Sequence, residues 1–89
     1  MSRIQVSVRI QSLGRTIQLK VDPAKDINEV KDRILSNQQL QLPRQDKEGN
    51  VYKYFFTSKK LGKQITGSLA SSGVTEGETI ILMAEAIAG

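Results

Sequence analysis

Between Ile4 and Ile10 every second residue is branched and apolar, and the residues between them are Gln5, Ser7 and Arg9. Successive side chains of an extended chain point to opposite faces, so this run dictates a strand with one buried and one wet face. The pattern stops at Gln11-Ser12-Leu13-Gly14-Arg15 and resumes in Thr16-Ile17-Gln18-Leu19-Lys20-Val21. Gly14 can take the left-handed backbone angles that a tight reversal needs, and the two runs are expected to pair as a hairpin. An isolated hairpin is barely stable in water, so the rest of the chain has to cover its apolar face.

Asp22-Pro23 ends the second run, because Pro23 has no amide hydrogen to give to a ladder. Asp26 is placed to cap a helix, and Glu29, three residues on, to complete a capping box. Ile27, Val30, Ile34 and Leu35 then make one apolar stripe, with Asn28, Asp32 and Arg33 opposite. So short a helix must pack on the hairpin to persist. Residues 36–50 are polar and poorly patterned; Leu40 and Leu42 are expected under the helix, and Asp46-Lys47-Glu48-Gly49-Asn50 as an exposed turn. Val51-Tyr52-Lys53-Tyr54-Phe55-Phe56 is strongly β-prone, with Tyr52, Tyr54 and Phe56 on one face and Lys53 and Phe55 on the other. Leu61 is expected as an isolated anchor behind it. Ser68 can cap a short helical turn anchored by Leu69 and Val74, with Gly73 at its exit. Thr79-Ile80-Ile81-Leu82-Met83 reads as a further strand, buried on at least one face. The last residues carry no core pattern, so the expected division is a domain over residues 1–83 and a flexible tail over 84–89. The element order is β-β-α-β-(short helix)-β, an α+β chain.

Eighty-nine residues give one domain. The chain has neither Cys nor His, which removes thiol and imidazole nucleophiles, general bases and metal ligands together. An enzyme is therefore not expected, and neither a cofactor nor a metal. Thirteen basic residues against nine acidic give +4, but only Lys59-Lys60-x-x-Lys63 forms a cluster, beside the aromatic run. Spread lysines usually mark a solvated surface, and a nucleic-acid partner is not expected. No apolar run approaches the ~20 residues of a membrane span, and the alternating N-terminus does not read as a signal peptide. A cytoplasmic location with no membrane partner is expected.

With these residues in this order, the chain resembles the ubiquitin-like β-grasp family. Val21-Asp22-Pro23 with Asp26-Ile27-x-x-Val30-Lys31-x-x-Ile34 is similar to the second strand and capped helix of ubiquitin. Tyr54-Phe55-Phe56-x-x-x-x-Leu61 resembles its third strand and following turn. Ser68-Leu69-x-x-x-x-Val74 and Gly77-x-Thr79-Ile80-x-Leu82 resemble its last short helix and last strand. The connection between Ile34 and Tyr52 is longer than ubiquitin's. Leu69-Ala70-Ser71-Ser72-Gly73-Val74-Thr75-Glu76-Gly77-Glu78-Thr79 and the ending Glu85-Ala86-Ile87-Ala88-Gly89 resemble bacterial ubiquitin-like proteins of the YukD/EsaB-like group. The fold this implies is a mixed sheet of four to five strands packed on one main helix.

The resemblance implies three sites. Gly89, with Ala88 before it, falls at the conjugating terminus of a modifier; a leash from Ala84 would reach about 20 Å at roughly 3.3 Å per residue. Ubiquitin has a second glycine where this chain has Ala88, and a basic residue where it has Glu85, so a different enzyme partner is expected. Phe55, Ile81 and Met83, joined by Leu13, fall on the recognition face. Lys59 and Lys31 are candidate acceptor lysines. The implied partners are an E1-like ATP-dependent activating enzyme, an E2-like transfer protein, a deconjugating protease and target proteins. The alternatives are a noncovalent adaptor of the type VII secretion accessory kind, using the same apolar face, and a sulfur carrier, against which the Ala88-Gly89 ending counts.

Overall fold

The computed structural model describes residues 3–88. Strand β1 spans Ile4–Ile10 and β2 Arg15–Val21, paired antiparallel from Ile4↔Val21 to Ile10↔Arg15. The alternation works as the sequence dictates: Val6, Val8 and Ile10 are buried, while Arg9 faces water. Gly14 turns the hairpin at φ +63°, and its amide donates to the Ile10 carbonyl at 2.9 Å.

Helix α1 spans Ile27–Leu35 and buries Ile27, Val30 and Ile34 against the sheet. Its N-cap is Asp26, whose carboxylate accepts the Asn28 amide at 2.8 Å. Glu29 does not complete the expected box; its own amide donates to the Asp26 carbonyl instead. Capping one orphan amide this way typically contributes ~1 kcal/mol. The Arg33 guanidinium reaches back to the Lys20 carbonyl at 3.0 Å and ties the helix to β2.

Strand β3 spans Val51–Ser58 and β4 spans Thr79–Ile87. The four strands form one sheet in the order β2-β1-β4-β3, with β1 and β4 parallel at the centre and the outer pairs antiparallel. The sheet is mixed and four-stranded, with the helix covering one face, in the expected order. Phe56, Ile80 and Leu82 are among the least exposed side chains and sit with Val6, Val8 and Ile10 in a single core.

The turn capped by Ser68 forms as expected, and two other expectations need correction. The short helix after Ser68 is one capped turn: the Ser71 amide donates to Ser68 Oγ, the Val74 amide closes on the Leu69 carbonyl, and Gly73 exits at φ +77°. Leu69 and Val74 are buried as expected, and one turn suffices to seat them. Leu61 is not an anchor, since it is 51% exposed; Ile65, four residues on, is the buried one at 4%. The chain from Lys59 to Gly62 turns outward, with the Gly62 amide on the Ser58 carbonyl, and returns where the Ile65 amide meets the Phe56 carbonyl. Finally, residues 84–87 are not a free tail. They extend β4 and pair with Val51–Tyr54, because β3 begins early enough to offer them a ladder.

The long connection closes over the helix side. Leu40 and Leu42 both enter the core, with Gln41 between them at φ +49°. The Tyr54 hydroxyl donates to the Pro43 carbonyl at 2.6 Å, and the Tyr52 amide donates to the Arg44 carbonyl at 2.9 Å. Burial raises the Tyr54 phenol above its usual range.

Candidate functional site

The pairing register decides which residues share the face away from the helix. Across β3 and β4, Phe55 lies opposite Met83, Thr57 opposite Ile81, Lys53 opposite Glu85, and Val51 opposite Ile87. The alternate residues Tyr54, Phe56, Ile80 and Leu82 are buried on the helix side, so these eight point outward. Phe55, Ile81 and Met83 are half-buried. The Thr57 hydroxyl donates to Met83 Sδ at 3.5 Å, which fixes the thioether on the stripe. Cross-strand apolar pairs of this kind each contribute roughly 0.2–1 kcal/mol, and their outer surfaces stay open to a partner.

The other half of the face is polar. Gln5 Nε2 donates to Gln18 Oε1 at 2.6 Å, and the Gln5 amide donates to Glu76 Oε2 at 3.2 Å. Arg9, opposite Ile81 across β1, marks the boundary between the two halves. The sheet therefore presents an apolar stripe over β3 and β4, flanked by Arg9 on one side and by the Lys53–Glu85 row on the other. The long connection lies on the helix side with Tyr54 and Pro43, and among the described residues it leaves this stripe uncovered.

Phe55, Ile81 and Met83 are thus brought together as the sequence expected. Leu13 is 37% exposed in the β1–β2 turn, whose Gln11 amide donates to the Leu82 carbonyl next to Met83. Val51 and Ile87, at 43% and 44% exposed, lie on the same face beyond the Lys53–Glu85 row, add a second apolar pair to the stripe there, and were missed. The odd-numbered alternation of Ile81 and Met83 is broken at Glu85, so the sequence alone does not carry it on to Ile87. Lys59 is exposed at the end of β3, and Lys31 is half-buried on α1, where it lines a groove with Lys53, Tyr54 and Gln64. They are on separate elements and do not form a cluster. Ala88 is exposed just past β4; Gly89 lies outside the described residues.

Two carboxylates are held below their usual range. Asp46 is lowered by the Asn50 side chain and amide, then by the amides of Glu48 and Gly49. Glu78 is lowered by the Thr75 amide and hydroxyl. Each closes its own turn. What the stripe can do chemically is bury apolar area against another surface. Among the described residues no group of three or more Asp or Glu is placed to hold a metal ion, and no helix is long and apolar enough to cross a membrane.

Two solved structures bear on this arrangement. A de novo design based on ubiquitin superposes with a TM-score of 0.68 at 20% identity, covering 93% of this chain and 89% of that one. The ubiquitin-like domain of an Arabidopsis thaliana protein superposes at 0.66 with 18% identity, covering 93% of this chain and 78% of that one. The fold is ubiquitin-like. At such identities the likeness establishes the architecture of this ubiquitin-like domain and nothing finer. No family model matches the sequence, and no curated protein matches it.

Proposed function

We propose that this ubiquitin-like domain is a protein modifier of the bacterial kind. A separate ATP-dependent enzyme would adenylate the Gly89 carboxylate, releasing pyrophosphate. A nucleophile, ultimately an amine of a target, would then displace AMP and form the new bond. The observation that supports recognition by such partners is the uncovered stripe of Phe55, Ile81 and Met83 on the sheet. Apolar side chains gathered on one open face, with charged side chains of both signs at the rim, give a partner a dry centre and a polar edge. The chain supplies the carboxylate and the handle; the reactive groups of the pathway belong to its partners.

A second reading is favoured by the pairing of residues 84–87 with β3. Residues 84–87 held within the sheet suit a noncovalent adaptor, which uses the same stripe and no chemistry.

The deciding experiment is a denaturing blot of N-terminally tagged protein in its source cells, comparing the natural sequence with a Gly89 deletion. Heavier bands that survive denaturation and vanish with the deletion establish the modifier. Only free protein, with the neighbouring enzymes expressed, leaves the adaptor.

A further inference from the structure

The two halves of β4 are held differently. Ile80–Leu82 lie between two strands, β1 on one side and β3 on the other. The last bond from the β1 side is the Gln11 amide to the Leu82 carbonyl at 3.1 Å. Beyond it β4 has one neighbour. Because the Leu82 carbonyl faces β1, the backbone groups of Ala84 and Ala86 face the same way, and among the described residues they meet no strand there. The groups of Glu85 and Ile87 face β3 and make the ladder. The side chains from Ala84 to Ala88 are all exposed, and three of them are alanines that bury little.

The facing half of β3 is fastened independently. The Tyr52 amide is bonded to the Arg44 carbonyl, Val51 bridges to Gln45, and the Tyr54 hydroxyl is bonded to the Pro43 carbonyl. If the ladder between 51–54 and 84–87 opens, β3 stays and β4 leaves. The pivot is the Met83–Ala84 junction, where support from β1 stops.

We propose that residues 84–88 form a strap. Paired with β3, the strap withholds the end of the chain; peeled from Ala84 onward, it presents that end as an extended segment with alanine at every second residue to a partner enzyme. The withholding role rests on the modifier reading above, while the peeling itself does not. Segments with few buried contacts and solvent-exposed ladder bonds are the ones that open below the global unfolding free energy.

Two measurements test this. In the natural sequence, the Glu85 and Ile87 amides are expected to exchange with solvent at least about 100-fold faster than the Ile81 amide, which lies on the same side of the same strand. The second uses the absence of cysteine from the chain. Lys53 and Glu85 are exposed register partners, and facing residues of an antiparallel pair lie within the span of a disulfide. The double variant Lys53→Cys/Glu85→Cys therefore fastens the strap when oxidised and frees it when reduced. Cleavage after Ala84 and Ala86 by an elastase-type protease is expected to slow about tenfold or more on oxidation, with Glu85 and Ile87 exchange slowing alongside. Exchange at Glu85 and Ile87 as slow as at Ile81, or cleavage indifferent to oxidation, overturns the strap. Covalent adducts equally abundant from the oxidised and reduced variant overturn its withholding role and leave the modifier standing. Absence of adducts from the natural sequence overturns the modifier, and the exchange contrast still upholds the peeling.

Discussion

Replacing Ile65 by alanine separates the structure from the simpler sequence reading. Ile65 is 4% exposed, so truncation to Ala deletes three buried carbons, each contributing about 0.8 kcal/mol of transfer free energy, or roughly 2.4 kcal/mol together. Its amide is bonded to the Phe56 carbonyl, which holds the backbone in place, so collapse is restricted and a cavity term adds to the transfer cost. The expected total is about 3 kcal/mol. Leu61, with 51% of its surface in water, loses at most about 1 kcal/mol in the same truncation, because area bookkeeping against an extended chain is an upper bound. In a domain of this size, ~3 kcal/mol lowers Tm by roughly 12–24 °C, and the Leu61→Ala variant should shift it by a few degrees. Urea unfolding should show the same order in midpoint at unchanged slope. Equal costs for the two variants, or a larger cost at Leu61, would refute the assignment of Ile65 as the anchor of this loop and return the anchor to Leu61.

Two further perturbations probe backbone and charge. Gln41 holds φ +49°, a region that costs an L-residue roughly 1–2 kcal/mol, while glycine surrenders about 0.5–1 kcal/mol of extra chain entropy; Gln41→Gly should therefore raise Tm slightly and Gln41→Val lower it. Asp46 and Glu78 both titrate below their ordinary values of 3.8 and 4.5 in the folded chain, so the unfolded chain binds protons first; their contribution is present above those values and lost as pH falls through the folded ones. Thermal melts between about pH 2 and 6 should show a shallower acid limb in the Asp46→Asn, Glu78→Gln double variant, and an unchanged limb would show that other carboxylates govern it.

The hairpin, the helix stripe and the inward side of β3 were legible because each is a local pattern with its own period. Val6, Val8 and Ile10 need only a strand to be buried together, and Asp26 needs only the next two residues to cap. What was not legible depended on partners distant in sequence. Leu61 and Ile65 are equally apolar and both lie in unpatterned chain; only the route of the loop, set by the Ser58 and Phe56 carbonyls, decides which turns inward. The segment Ala84-Glu85-Ala86-Ile87 has too little apolar content to announce a strand. It becomes one because β3 starts at Val51, and that start is set by the Asp46–Asn50 turn, whose Asp46 carboxylate accepts the Asn50 amide and side chain. The outward stripe was half visible: Phe55, Ile81 and Met83 follow from alternation, whereas Val51 and Ile87 join it only once the register is known.

The stripe and the strap share a strand, and this ties their occupancies together. Ile87 belongs to both: its side chain extends the apolar stripe, and its pairing with Val51 closes the strap. A partner that covers the whole stripe, Ile87 included, binds the paired state better than the peeled one and must shift the population toward pairing by that difference in affinity. A partner that touches only Phe55, Ile81 and Met83 contacts residues that keep their places in either state and leaves the equilibrium where it was. An enzyme that needs the end of the chain is therefore served by gripping the stripe short of Val51 and Ile87, whereas an adaptor's partner gains by covering them. Truncating Ile87 to alanine separates the two demands, since it removes contact area from the second kind of partner and weakens the pairing that opposes the first.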